Sequence, residues 1–272
     1  MAPGIHRKLV ELVLMAAFAS QGWAKTCGSD ADSSISTDRP QITEASTVVP
    51  CGSLQFENGL AETETGGRWG ADLPETWMRT GVPAKGEVRF SIPDYFSNTD
   101  TNSGFTSGAS DVGLGYKQQL GPARGFDVSV IPSLSFPTGS NRISSHGYDP
   151  SLQAPWSRGL SKNWTAAGMF SVYWPTQPSG RNTTGQATLY FDRQLTQPLD
   201  AWIEYAGSFA ERGGPNHILN MGACLKPTPH QQIDFRVSFG LSAAAPDYSV
   251  GLGYSVRFQL VRPLRAKTEL AK

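Results

Sequence analysis

Residues 249–260 read SVGLGYSVRFQL, and every second one is apolar. Val250, Leu252, Tyr254, Val256, Phe258 and Leu260 alternate with Ser249, Gly251, Gly253, Ser255, Arg257 and Gln259. A period of two places these sets on opposite faces of a β-strand. Soluble strands usually run about 5–6 residues, whereas a tilted strand crossing a bilayer needs about 9–11. Such a strand has one greasy face and one wet face, and it needs partners that close a barrel around the wet one.

The chain supplies them. Residues 231–241 repeat the pattern, with Ile233, Phe235, Val237, Phe239 and Leu241 against Gln232, Asp234, Arg236, Ser238 and Gly240. Residues 85–96, 111–120 and 126–136 do the same, and Pro93 is expected to distort or end the first of these. Further strands are read at 51–59, 164–174, 187–195, 199–209 and 217–225, with weaker ones at 75–81 and 151–160. Polar loops are expected at 97–110, 137–149 and 175–185. The count is twelve, an even number that suits a bacterial single-chain barrel. The reading is therefore all-β: an antiparallel up-and-down transmembrane β-barrel. A soluble β-sandwich or barrel would show the same alternation. Lys+Arg and Asp+Glu are both 23, so the basic excess of a nucleic-acid binder is missing. No later run of 18 apolar residues provides a helical span.

The N-terminus reads differently. His6, Arg7 and Lys8 precede the apolar stretch 9–19, and Gly22 and Ala24 are small residues ahead of a cut after 24. Residues 1–24 are read as a signal peptide, with an uncleaved amphipathic helix as the alternative. Residues 25–50 lack alternation and form a periplasmic or lumenal extension. The barrel spans 51–260, and 261–272 is a tail. Cys27 and Cys51 could pair in an oxidising compartment. Cys224 lies in a strand pattern and reads as a small apolar filler.

Within the extension stand Thr37-Asp38-Arg39-Pro40, Thr43-Glu44 and Val48-Val49-Pro50, followed by Gly52, Gln55, Glu57 and Gly59. This order resembles the start of the phenol-degradation MetA-pathway family of outer-membrane transporters. The match covers about residues 36–60, and Cys51 departs from the residue expected there. The resemblance implies a bacterial outer-membrane barrel, with a phenolic substrate a weaker implication. Apart from the family, Pro40 fixes its own φ and keeps Arg39 extended. Asp38 and Arg39 could anchor the segment to a barrel rim or lumen by charge-assisted hydrogen bonds; a solvated tail is the other reading. Many outer-membrane barrels end on an aromatic read by their assembly machinery. Phe258 resembles that signal, although fourteen residues follow it.

If the apolar face meets lipid, the lumen receives Glu57, Glu87, Arg89, Asp111, Lys117, Asp127, Asp192, Glu204, Asp234, Arg236 and Arg257. Both signs occur, so these charges line a polar channel or pair and plug it. Trp77, Trp156, Trp164, Trp174, Trp202, Tyr173 and Tyr205 are read as interfacial girdle residues. No G-x-S-x-G or H-E-x-x-H motif occurs, and Gly113-Leu114-Gly115 precedes no helix, so no catalytic, metal or cofactor residue is assigned. His217 is the one position where an esterase or lipase would be sought. The expected function is passage of small, hydrophobic or aromatic molecules, with a plugged structural or adhesive barrel as the rival. The expected partners are outer-membrane lipids, the assembly machinery and a small solute, with no nucleic acid.

Overall fold

A computed structural model describes residues 27, 32–100 and 104–261. Among them twelve antiparallel strands form the wall, and a short hairpin of Thr176–Gln177 with Gly180–Arg181 lies in one connection. The wall strands are β1 (Ser53–Thr65), β2 (Arg68–Leu73 continuing as Thr76–Val82), β3 (Gly86–Ile92 continuing as Tyr95–Asp100) and β4 (Gly104–Ala109 continuing as Val112–Gln119). There follow β5 (Asp127–Phe136), β6 (Asp149–Gly159), β7 (Trp164–Tyr173) and β8 (Thr184–Gln194). The last four are β9 (Leu199–Ala210), β10 (Pro215–Thr228), β11 (Gln231–Gly240) and β12 (Tyr248–Gln259). Each strand pairs with its neighbour in sequence. β12 then returns to β1, from Ser53↔Gln259 to Glu64↔Tyr248. Closure removes both sheet edges and satisfies the backbone within the wall, as a spanning sheet requires.

Burial is inverted relative to a soluble protein. Arg79, Arg89, Lys117, Gln55, Glu57, Glu87, Glu204 and Asp234 are among the most buried side chains, whereas Phe170 is 65% exposed and Leu252 49%. Exposed Ile233, Phe235, Phe239, Leu252, Tyr254 and Phe258 cover the outside of β11 and β12. A soluble barrel would bury this belt, so the outer face is built for hydrocarbon.

The wall is interrupted across three adjacent strands. β2 breaks at Pro74, β3 at Pro93 and β4 at Ser110. Proline has no amide hydrogen to give a ladder; the β1–β2 pairing resumes one residue out of register beyond Pro74, whereas β2–β3 and β3–β4 keep theirs across the break. The Glu75 amide bonds Gly59 O at 2.8 Å, and the Ser110 amide bonds Asp94 O at 2.7 Å. The expected polar loop at 97–110 is thus corrected: most of it forms the outer halves of β3 and β4. Pro93 bends its strand without ending it. Small and polar residues dominate this stretch without an apolar alternation, which hid the strand from a hydropathy reading. The 137–148 and 174–183 connections lie at the end of the barrel away from the chain termini, here called the loop mouth. The terminal mouth has the shorter turns. The proposed signal segment 1–24 and the tail beyond 261 lie outside the described residues.

Candidate functional site

Residues 33–50 enter the lumen from the terminal mouth, turn and return to β1. Cys27 is disulfide-bonded to Cys51, across a separation of 24 residues. The segment is a closed loop with its tip inside the barrel. Ile35 N donates to Pro229 O (2.7 Å), and Arg257 Nη2 donates to Ser33 O (2.5 Å), fixing the loop's first limb at the mouth. Gly81 admits the second limb: a Cβ there would meet Val49 O at 2.2 Å.

Asp38 is the centre of the first anchor. Its carboxylate lies 3.1 Å from Arg79 Nε, 2.7 Å from Arg89 Nη2 and 3.0 Å from Lys117 Nζ. Arg79 also reaches Glu57 (2.6 Å) and Glu87 (2.7 Å). Those glutamates turn their remaining oxygens to the loop backbone. Glu57 Oε2 accepts from the Asp38 and Arg39 amides at 2.9 and 3.0 Å, and Glu87 Oε2 accepts from the Val49 amide at 2.8 Å. Glu44 meets Arg89 at 2.5 Å. Buried charges survive only when paired and hydrogen-bonded, and here each wall charge has a loop partner or a wall partner that does.

Arg39 makes the second anchor. Its guanidinium pairs with Glu75, approaches Asp234 Oδ1 at 3.5 Å and donates to Leu252 O at 3.2 Å. Arg236 holds the other Glu75 oxygen at 2.8 Å. Gly59 makes room for this side chain, since a Cβ there would lie 2.1 Å from the guanidinium.

The remaining candidates are scattered. Asp111 accepts from Gly139 N at 2.8 Å and so holds a loop of the loop mouth. Asp127 faces Gln119 near the terminal mouth. Asp192 accepts from the Tyr190 hydroxyl at 3.2 Å. Glu204 binds the tip of the loop. Cys224, read as a small apolar filler, is buried on the lumenal face opposite Asp234, beside a space lined by Asp192, Asp200 and Lys226. The girdle assignment is corrected for three aromatics. Trp202 is 4% exposed and sits beside Tyr190 in the lumen. Trp77 lies under the Arg89 guanidinium, 4.8 Å from its ring centroid, and the Tyr173 hydroxyl bonds Gln186. Their odd or even position in the strand decided this, and the girdle reading ignored it. Arg79 and Glu75 were not read as lumenal because the weak alternation of 75–81 gave no phase; the order Trp77-Met78-Arg79-Thr80 carries it.

A cavity of about 930 Å³ lies on the loop-mouth side of the inserted segment, lined by Thr63, Arg68, Asp72, Arg142, Ile143 and Arg236 among others. The segment separates it from spaces of about 270 and 560 Å³ on the terminal side. The lumen is therefore obstructed by a plug of the chain's own making.

A family model described as "Putative MetA-pathway of phenol degradation" matches residues 37–258. The chain belongs to this family. The match starts at the plug and runs to Phe258 in the last strand, so plug and barrel are one family unit. The fold is similar to the COG4313 outer membrane channel from Pseudomonas putida F1, with TM-score 0.67 and 14% identity over 78% of this chain and 97% of that one. It is also similar to the NanC porin (TM-score 0.52, 11% identity, 75% and 98%). A third likeness is to the β domain of the Bordetella autotransporter BrkA (TM-score 0.51, 13% identity, 76% and 100%). At these identities the likeness is one of fold, that of outer-membrane barrels. No curated protein matches the sequence.

Electrostatics makes the plug of this family member sensitive to pH. Burial opposes the charge on Asp38, yet Arg79, Arg89 and Lys117 hold its carboxyl well below the ordinary carboxylate range. Burial and the nearby Asp38 push Glu44 from 4.5 up to about 7, against the pull of Arg89 and Lys117. Gln153, at 3.4 Å from Oε1, is its neutral neighbour on β6. A released Glu44 ionises near 4.5 and a seated one near 7, so between these values the seated plug holds more protons. Its contribution is full below the lower value and is lost as pH rises through the upper one. The change is at most about 1.4 kcal/mol per pH unit. Open probability in planar bilayers should rise from about pH 4.5 to about pH 7. Glu44→Gln should flatten that rise; an unchanged slope would remove Glu44 as its source.

Proposed function

We propose that this chain is an outer-membrane channel for small, hydrophobic or aromatic molecules, closed at rest by its N-terminal loop. The observation that carries the reading is the nature of the obstruction. The plug is held in the lumen by polar side-chain contacts to the wall and is covalently joined to it only at the terminal mouth, through the chain and Cys27–Cys51. A barrel stiffened for structural purposes alone would gain more from apolar packing than from a buried charge network. Open spaces on both sides of the plug give a solute somewhere to enter and leave. Lumenal Tyr173 and Tyr190, which border open spaces, supply aromatic faces for apolar or aromatic solutes, and their polar neighbours keep the passage wet.

The reading gives the protein no catalytic role. His217 projects from the outer face, where its ring stacks on Tyr205 and Nδ1 lies 2.7 Å from that hydroxyl. Lipids of the membrane and the barrel-assembly machinery are the partners that such a chain requires, Phe258 being the residue offered to the latter.

Proteoliposomes test the substrate class. An ionised aromatic acid such as 4-hydroxybenzoate should enter them faster than a sugar of similar size, and faster than it enters protein-free vesicles. Equal entry of both solutes would contradict the aromatic preference. No protein-dependent entry of either would favour the permanently plugged barrel.

A further inference from the structure

The plug is held unequally by the two sides of the barrel. Toward β1–β4 it is bolted by Glu57, Arg79, Glu87, Arg89 and Lys117. Toward β8–β11 residues 37–40 meet Gln232, Asp234 and Arg236 of β11, whereas the tip at 41–43 is held chiefly by one side chain, Glu204. This carboxylate is 1% exposed. It accepts from the Ile42 amide at 2.9 Å, the Thr43 amide at 2.7 Å and the Thr43 hydroxyl at 2.6 Å. Asn220 Nδ2 donates to it at 2.9 Å and orients it from the neighbouring strand.

The spaces in the lumen meet at this contact. On the loop-mouth side lies a void of about 160 Å³ whose lining includes Ile42 and Asn220. It borders the 930 Å³ cavity, with Thr63 and Arg236 lining both. On the terminal side the 270 Å³ void is lined by Gln41, Tyr190, Asp192 and Lys226. Consecutive plug residues, Gln41 and Ile42, thus face different voids. The partition between them is the seal that residues 41–43 make with Glu204 and, through Thr43, with Thr188 at 2.6 Å.

We infer that the transit route runs between the plug and the β8–β11 wall, and that Glu204 is the latch that closes it. The inference rests on the channel reading above. Opening would need the tip at 41–43 to leave Glu204, and with it the weaker contacts of Thr43 to Thr188 and Gln41 to Tyr190, while the Asp38 and Arg39 anchors stay in place. The two freed amides would be solvated in the widened passage rather than left buried.

Single-channel recording of the full-length protein tests this. Hydrogen bonds to a charged group are the stronger kind, so Glu204→Ala should raise open probability about tenfold or more. Glu204→Gln keeps the shape but turns an amide NH₂ toward a plug N–H, and should raise it in the same direction. The route has its own readout. In the Glu204→Ala protein, Asp192→Arg should move the reversal potential toward anion preference, whereas Asp127→Arg, on the β5 side, should leave it in place. Heat-modifiable migration on gels checks that each barrel is folded. If Asp38→Lys opens the pore and neither Glu204 variant does, the latch is wrong and the plug reading stands. If folded Asp38→Lys and Glu204 variants are all silent, the channel reading falls with it. Equal shifts from Asp192 and Asp127 would overturn the assigned route.

Discussion

Asp38→Lys should empty the lumen of its plug and convert a mostly closed barrel into a conducting one. The wild-type carboxylate meets three cations at 3.1 Å or less. Lysine would place a fourth positive charge among Arg79, Arg89 and Lys117. Breaking one partner of a buried pair costs about 3–5 kcal/mol, which corresponds to a shift of roughly 10²–10⁴ in the balance between seated and released plug. The barrel wall should survive the change. Arg79 keeps Glu57 and Glu87 as partners at 2.6 and 2.7 Å, and water reaches Arg89 and Lys117 once the plug has gone. Planar-bilayer recording should therefore show long openings of several-fold larger conductance, with gel migration of the folded barrel unchanged. A folded variant with wild-type current would mean that residues 33–50 do not control the passage.

The different parts of this molecule were not equally legible in its sequence. The strand order and the inside-out faces were, because a period of two over a long strand leaves one choice of face. Glu57, Glu87, Arg89, Lys117, Glu204 and Asp234 followed from that phase alone. The breaks at Pro74 and Pro93 were harder. β2 shifts register against β1 at Pro74, where the alternation is weakest, so 75–81 looked poor; 97–110 has too few large apolar residues to alternate and looked like a loop. Arg79, the hub of the Asp38 anchor, was lost for that reason. Trp77, Tyr173 and Trp202 were assigned by residue type, since girdle aromatics are common, although their positions in the strands placed them inside. The motif Asp38-Arg39-Pro40 announced an anchored segment without saying what held it. Its partners come from six strands far apart in sequence, so no local pattern could join Asp38 to Lys117 or Arg39 to Asp234. The Cys27–Cys51 bond was open for the same reason: spacing does not give distance.

The central claim is that the plug must move for anything to pass, and a reversible lock measures this most directly. Thr43 Oγ1 and Thr188 Oγ1 are 2.6 Å apart, on the plug tip and on β8. Replacing both with cysteine, in a Cys224→Ser background, puts two thiols where a disulfide needs only small adjustment. The oxidised protein should be silent in planar bilayers, and a reductant should restore its openings. The Cys224→Ser protein alone, given the same reductant, provides the reference for any effect of reducing Cys27–Cys51. Full current through the oxidised, cross-linked protein would contradict the account, because it would show solute and ions passing a plug that cannot leave its seat.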